Sequence, residues 1–208
     1  MEKSRDFEEV KNVKIIVADP TALGLFGLAI VTLVASTQKL GITEGVSLVV
    51  PWALFLGAFA QLIASFADSK LRNTFGSTAF GAYGLFWLGI AMTWLIQAGV
   101  FGESLQTTAD IKELGVAFVG YLIFTLFMTY GAASINKVLF AIFVMINFLF
   151  IGLALSTLVE SRLGHWLAGF SELIISLLAF YGCGASVLNT HYGKIILPVG
   201  KPLMRITR

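Results

Sequence analysis

Six long apolar runs separated by short polar connections dominate the pattern along this chain. They cover about residues 22–37, 46–67 (with Pro51 near its start), 75–101, 114–133, 138–159 and 166–188. About 20 mostly apolar residues cross roughly 30 Å of hydrocarbon as a helix. A helix also satisfies its own backbone polar groups where no water can reach them. The pattern therefore predicts an all-α membrane protein, a bundle of six transmembrane helices over 22–188. Polar tails flank it over 1–21 and 189–208. The first nineteen residues are polar and mixed in charge. They lack the short apolar core and small-residue cleavage site of a secretory signal, so the first run is expected to insert uncleaved.

The basic residues set an expected orientation. The N-terminal tail carries Lys3, Arg5, Lys11 and Lys14, the second connection Lys70 and Arg72, the fourth Lys137, and the C-terminal tail Lys194, Lys201, Arg205 and Arg208. The other three connections carry Lys39, Lys112 and Arg162, a ratio of eleven to three. By the positive-inside rule both termini are expected in the cytoplasm, and an even number of spans agrees.

Composition narrows the function. Hydrophobic residues make up 57% and charged residues 12%, against about 25% charged in ordinary soluble domains. So few charges cannot cover a water-facing surface, and the expected location is the plasma or inner membrane. The 21 glycines fit membrane helices, where Gly is enriched. A net charge of +2 without a basic face gives no reason to expect nucleic acid as a partner. Cys183, the only cysteine, rules out an internal disulfide or a zinc site built on several thiolates. His165 and His191 are too far apart for a local metal motif. No cofactor or metal is expected. No connection is long enough to house a soluble domain, so any chemistry sits inside the bundle. That favours a transporter or channel over an enzyme.

Polar side chains at membrane depth are costly and usually face the bundle interior or a water-filled path. Gln61, Ser65 and Asp68 share one face of the second helix. Asn73, Thr74, Ser77 and Thr78 crowd the start of the third, with Tyr83 deeper. Asn147 sits in mid-fifth helix. Glu172, Ser176, Ala179, Cys183 and Ser186 make a small, polar stripe on the sixth. Each has a bland counterpart. Ser65, Ser77 and Ser176 read better as backbone-bonded or helix-gluing groups. Asp68 also fits the membrane edge, Tyr83 a packed aromatic, and Asn147 an interhelical clamp. Glu172, about two turns inside its helix, must be protonated, paired or wetted. The pairs Ala60 with Ala64 and Ser77 with Gly81 permit close helix packing.

Several segments, taken together, resemble the acetate uptake transporter family, the bacterial succinate–acetate permeases and their archaeal and fungal relatives. Asp19-Pro20-Thr21-Ala22-Leu23-Gly24-Leu25 resembles that family's Asn-Pro-Ala-Pro-Leu-Gly-Leu signature. The third helix adds Asn73-Thr74-Phe75-Gly76, Thr78-Ala79-Phe80, Tyr83-Gly84 and Phe86-Trp87. The fourth adds Phe124-Thr125-Leu126-Phe127-Met128. Ala60-Gln61 and Leu197-Pro198-Val199-Gly200 also fit, and the matches run collinearly over nearly the whole chain. The resemblance implies uptake of acetate, and of related small carboxylates such as succinate, either coupled to protons or as a channel-like flux. It implies six-helix protomers, each with its own pore, in a homohexameric ring in the bilayer. The family's apolar constriction falls on Leu28, Tyr83 and Ile146, with Leu28 in place of the family's Phe and Ile146 in place of its Leu. A pore-facing alanine falls on Ala179. Asp19 stands for the signature Asn and Ala22 for its second Pro. Glu172 occupies a position where the family pattern leads one to expect a small residue.

These residues suit a carboxylate physically. A collar of Leu28, Tyr83 and Ile146 would strip hydration water and disfavour strongly hydrated ions. The Tyr83 hydroxyl can donate to a carboxylate while its ring packs on the methyl. Gln61, Asn73, Thr74, Thr78 and Asn147 supply neutral donors that hold an anion loosely enough to release it. Asp68 and Glu172 are the candidates for proton linkage. The main alternative is a channel for a small neutral solute such as urea or ammonia, which shares most of these features. A membrane-embedded enzyme would need His or carboxylates clustered at one depth, and a purely structural protein leaves the polar stripes without a use.

Overall fold

The computed structural model describes residues 18–204 and contains seven helices and no strand among them. They are α1 (Thr21–Lys39), α2 (Val50–Lys70), α3 (Thr74–Gln97), α4 (Glu103–Thr108), α5 (Ile111–Ala132), α6 (Lys137–Leu158) and α7 (Arg162–Tyr192). Six of them are long and apolar enough to cross a membrane, all but the short α4. Lys3, Arg5, Lys11, Lys14, Arg205 and Arg208, six of the residues behind the expected orientation, lie outside the described residues.

Local chemistry sets the helix ends. Four N-termini carry a side-chain cap: Asn73 accepts from the Gly76 N–H, Asp110 from Lys112, Asn136 from Leu139 and Ser161 from Gly164. The third helix stops at Gln97, short of the expected 101, because Gly99 (φ +75°) and Gly102 (φ +96°) turn the chain into α4. That short helix has no apolar period to announce it. The last helix runs to Tyr192, so residues 189–192 of the expected tail are helical, and Gly193 ends it at φ +62°. Within α2, the stretch Ala53–Ala60 is π-helical. Such wide turns are rare and gather at functional positions.

Small residues bring the helices together, as expected where hydrocarbon offers no hydrophobic driving force between them. A Cβ on Gly152 of α6 would lie 2.6 Å from the Ala168 nitrogen and 2.7 Å from the Gly164 oxygen of α7. A Cβ on Gly27 of α1 would run into the Leu56 carbonyl of α2, with Ala60 3.1 Å away. Ser65 donates to the Ser77 carbonyl at 2.7 Å, tying α2 to α3. Ser176 of α7 donates to the Ala29 carbonyl of α1 at 2.8 Å. In the middle of the bundle Phe86, Phe118, Tyr121 and Phe150 pack as a close aromatic cluster, with ring centroids 5.0–6.4 Å apart. Large apolar side chains such as Phe55, Phe66, Leu85 and Phe127 point outward, as a lipid-facing surface requires.

Candidate functional site

A cavity of about 380 Å³ opens at the end of the bundle where the chain enters α1 and leaves α7. Five helices line it, and each lining sequence runs inward from that end. On α1 and the residues before it the series is Asp19, Thr21, Leu25, Leu28. On α2 it is Asp68 then Gln61, and on α3 Asn73, Gly76, Ala79, Phe80, Tyr83. On α6 it is Asn136, Leu139, Ile142, Ile146, and on α7 Asn189, Ser186, Ala185, Gly182. The deepest residues are thus Leu28, Gln61, Tyr83, Ile146 and Gly182. Thr21 to Leu28 is seven residues, or about 10 Å of helix rise. Leu28, Tyr83 and Ile146 are all buried, from three different helices, and close the floor. Beyond it stands Phe150, whose ring stacks 6.5 Å from that of Tyr83.

At the floor Leu28 and Ile146 are apolar, Gln61 is polar, and Tyr83 presents its ring. The Tyr83 hydroxyl lies 2.8 Å from Thr125 Oγ1 on α5. Thr125 spends its single proton on the Tyr121 carbonyl at 2.6 Å. Tyr83 must therefore be the donor, and its proton is committed. The expectation that this hydroxyl donates to a carboxylate does not match the geometry. What Tyr83 offers the cavity is its ring, held among Phe124, Phe143 and Phe150.

The other proposed polar contacts separate. Gln61, 1% exposed, lines the floor with its Nε2 donating to the Gly57 carbonyl at 2.9 Å. That carbonyl lies in the π-helical turn. Asn73 lines the wall, its Nδ2 donating to Asp68 Oδ1 at 2.8 Å while its Oδ1 caps α3. Thr74 and Thr78 are exposed and do not line the cavity. Asn147 is also outside it. Its amide donates to Thr129 Oγ1 at 2.7 Å and to the Phe143 carbonyl, clamping α6 to α5. Ala179 is fully buried, one turn beyond the lining residue Gly182. Of the signature, Asp19 and Leu25 line the cavity. Pro20 is buried and supplies the carbonyl that accepts the Gly24 N–H, opening α1. Gly24 gives the Phe80 ring its place, Leu23 faces outward.

Two carboxylates and no lysine, arginine or histidine line the cavity among the described residues. Asp19 sits exposed at the mouth, accepting from the Thr21 N–H and from the Ser186 hydroxyl, each at 2.9 Å. Burial pushes its carboxyl up, but the hydrogen bonds from Thr21 and Ser186 outweigh this and leave it below the ordinary value. Asp68 is 2% exposed, with Oδ1 held by Asn73 and Oδ2 buried with no donor. Gly76 makes room for that oxygen, since a Cβ there would strike it. Glu172 is elsewhere. Its two oxygens accept from Lys39 Nζ at 3.0 and 3.2 Å near the opposite end of α1 and α7. No group of three or more His, Cys, Asp or Glu that could hold a metal converges among the described residues.

Several lining residues carried no sequence signal. Val138, Leu139 and Ile142 belong to the most apolar helix, where a cavity-facing stripe looks like a lipid-facing one. On α7 the stripe passes through Gly182, Ala185, Ser186 and Asn189 rather than Cys183, and the helical period through Asn189 was the available clue. Val199 reaches the cavity because the terminal segment folds back, its carbonyl accepting from the Val138 N–H at 3.2 Å.

Comparison with known proteins agrees with this architecture. The chain is 31% identical over 184 residues to the succinate-acetate/proton symporter SatP of Escherichia coli K12, covering 88% of this chain and 96% of that one. It is 29% identical to the ammonia transport outward protein 2 of Saccharomyces cerevisiae, over 86% of this chain and 65% of the yeast protein. The solved structure of the bacterial acetate channel SatP superposes with a TM-score of 0.83 at 31% identity, covering 89% of this chain and all of that one. With residues 7–202 matched by the sequence profile of the GPR1/FUN34/yaaH family, this multi-pass membrane protein belongs to that family.

Proposed function

We propose that this protein carries acetate across the plasma membrane, accompanied by a proton, through the cavity within each protomer. The observation that carries the reading is the cavity itself. It is wide enough for a two-carbon acid, lined by amide and hydroxyl groups beside the carboxylates of Asp19 and Asp68, and floored by Leu28, Tyr83 and Ile146. An apolar floor passes a methyl and a carboxylate that has shed its water, and resists ions that hold theirs. The names of the bacterial relatives point to the same substrate.

Proton linkage follows from charge. A cavity lined by Asp19 and Asp68, with no cationic side chain among the described residues, repels a bare anion. Passage with a proton removes the repulsion. Asp68 is the proton site we favour on this side, because one buried oxygen has no donor to stabilise its charge and a proton there removes that charge. Asp19 is the other carboxylate in the cavity, and its hydrogen bonds from Thr21 and Ser186 favour the ionised form. By the basic-residue asymmetry the cavity opens to the cytoplasm, and the outward apolar faces suit lipid and assembly as a homohexamer.

Ammonium is a second reading, favoured by the same two carboxylates and by the name of the yeast relative. Uptake of labelled acetate, methylammonium and urea into proteoliposomes, with and without an imposed pH gradient, separates the readings. Acetate entry that rises when the acid side faces the substrate supports the proposal. Methylammonium or urea entry without acetate entry overturns it.

A further inference from the structure

At the end of the bundle opposite the cavity lies a second, more open hollow of about 500 Å³, between the end of α1, the end of α6 and the start of α7. Lys39 lines it, and behind Lys39 is Glu172. The pair is nearly dry, with the side chains 12% and 3% exposed, and both Glu172 oxygens bind the one ammonium group. Gly169, one turn before Glu172, makes the meeting possible, since a Cβ there would lie 2.9 Å from Lys39 Cβ. An ion pair this deep loses more hydration than an exposed one, so removing one partner leaves the other needing a substitute. In a path for carboxylates the substitute is at hand: substrate has the same functional group as Glu172.

We propose that Lys39 and Glu172 form a carboxylate-exchange site, at which an incoming acetate takes Lys39 while Glu172 takes the accompanying proton. The inference rests on the acetate reading above and adds a second binding site to it, at the opposite end of the bundle. Charge balances at every stage. Before binding, Lys39 and Glu172 neutralise one another. After binding, Lys39 and acetate do, and a hydronium ion in the hollow hands its proton to Glu172 and leaves as water. One O–H bond breaks and one forms, and the complex gains one acetate and one proton together. The groups facing the pair are few. His165 lies seven residues before Glu172 on the same face of α7 and lines the hollow, as do Arg162 and Glu160 at its rim. Arg162 and Glu160 are exposed, so water screens their charges, and Lys39 is the nearly buried lysine at this hollow among the described residues. The Ser161-capped start of α7 also faces this hollow, and its helix dipole favours an anion there.

The test measures acetate binding by saturation-transfer NMR on the full chain in lipid nanodiscs from pH 5 to 8, every protein in this arm carrying Asp68→Asn so that the first cavity adds no pH slope, beside acetate uptake in proteoliposomes by proteins with Asp68 intact. One linked proton weakens wild-type acetate binding by up to about tenfold per pH unit once Glu172 ionises. Glu172→Gln imitates the protonated acid and frees Lys39, which can still reach the water of the hollow. This variant should bind acetate more tightly than wild type at pH 8 and lose the pH slope. The paired change Lys39→Met with Glu172→Leu removes both charges without stranding either, and should weaken binding on the order of tenfold at pH 5. A merely structural ion pair predicts neither the tighter binding nor the flattened slope. If Glu172→Gln keeps the wild-type pH slope, or the paired variant keeps wild-type affinity, the exchange site is wrong. Binding with these properties in a wild type that moves no acetate would refute the transport reading while leaving the site standing.

Discussion

Tyr83 changes role once its neighbours are visible. Its proton goes to Thr125, whose own proton goes to the Tyr121 carbonyl. Tyr83→Phe therefore removes a buried protein–protein hydrogen bond rather than a substrate contact. It should leave acetate uptake within about twofold of wild type and lower stability by about 1 kcal/mol, read as a reduced melting temperature in detergent. Ile146 behaves differently, because its side chain closes the floor. Ile146→Ala should admit a bulkier acid such as lactate, as exclusion by size weakens with the excluding group. An unchanged acid-size profile would show that the floor lies elsewhere. Asp19 sets a third test. Its carboxyl is held below the ordinary value by Thr21 and Ser186. A depressed folded-state value stabilises the fold above the unfolded value, and the gain is lost only as pH falls through the folded one. Asp19 thus contributes no titration between pH 5 and 8. Asp19→Asn should keep the pH profile of uptake and lower the acetate KM about fivefold, since one like charge in a wet mouth is worth on the order of 1 kcal/mol.

Helices were the most legible scale. All six spans could be read from apolar run length because hydrocarbon thickness fixes that length. The collar residues Leu28, Tyr83 and Ile146, and Gln61, Asn73 and Asp68, could be placed by resemblance and helical face, and they share one cavity. Thr74, Thr78 and Asn147 could not be placed the same way. A polar side chain in a helix can face water, a neighbour or substrate, and only packing decides. Packing also decides what the glycines do. At Gly152 a Cβ would meet backbone atoms of α7, which cannot move aside as a flexible side chain would. Gly152→Val should therefore push α6 from α7 and destabilise the protein by at least about 1–3 kcal/mol, seen as lower yield and melting temperature. Gly120, where a Cβ meets nothing within 4 Å, is the control position that should tolerate the same change.

At the scale of the whole molecule, buried aromatic side chains stand between two hollows at opposite ends of the bundle. An acidic cavity leads from one end to an apolar floor, aromatic rings fill the centre, and a hollow with a buried Lys39–Glu172 pair opens at the other end. In the proposed route acetate traverses the floor, and Phe150 and its neighbours yield for each passage. The most direct measurement is a block at that floor. Cys183 is replaced by Ser to remove the native thiol, Ile146 is changed to Cys, and acetate flux is followed in proteoliposomes before and after a methanethiosulfonate reagent, with mass spectrometry confirming the adduct. The account predicts acetate flux before treatment and its loss on modification, with the Cys183→Ser protein alone unaffected. Flux that continues through fully modified protein would contradict a route through Leu28, Tyr83 and Ile146.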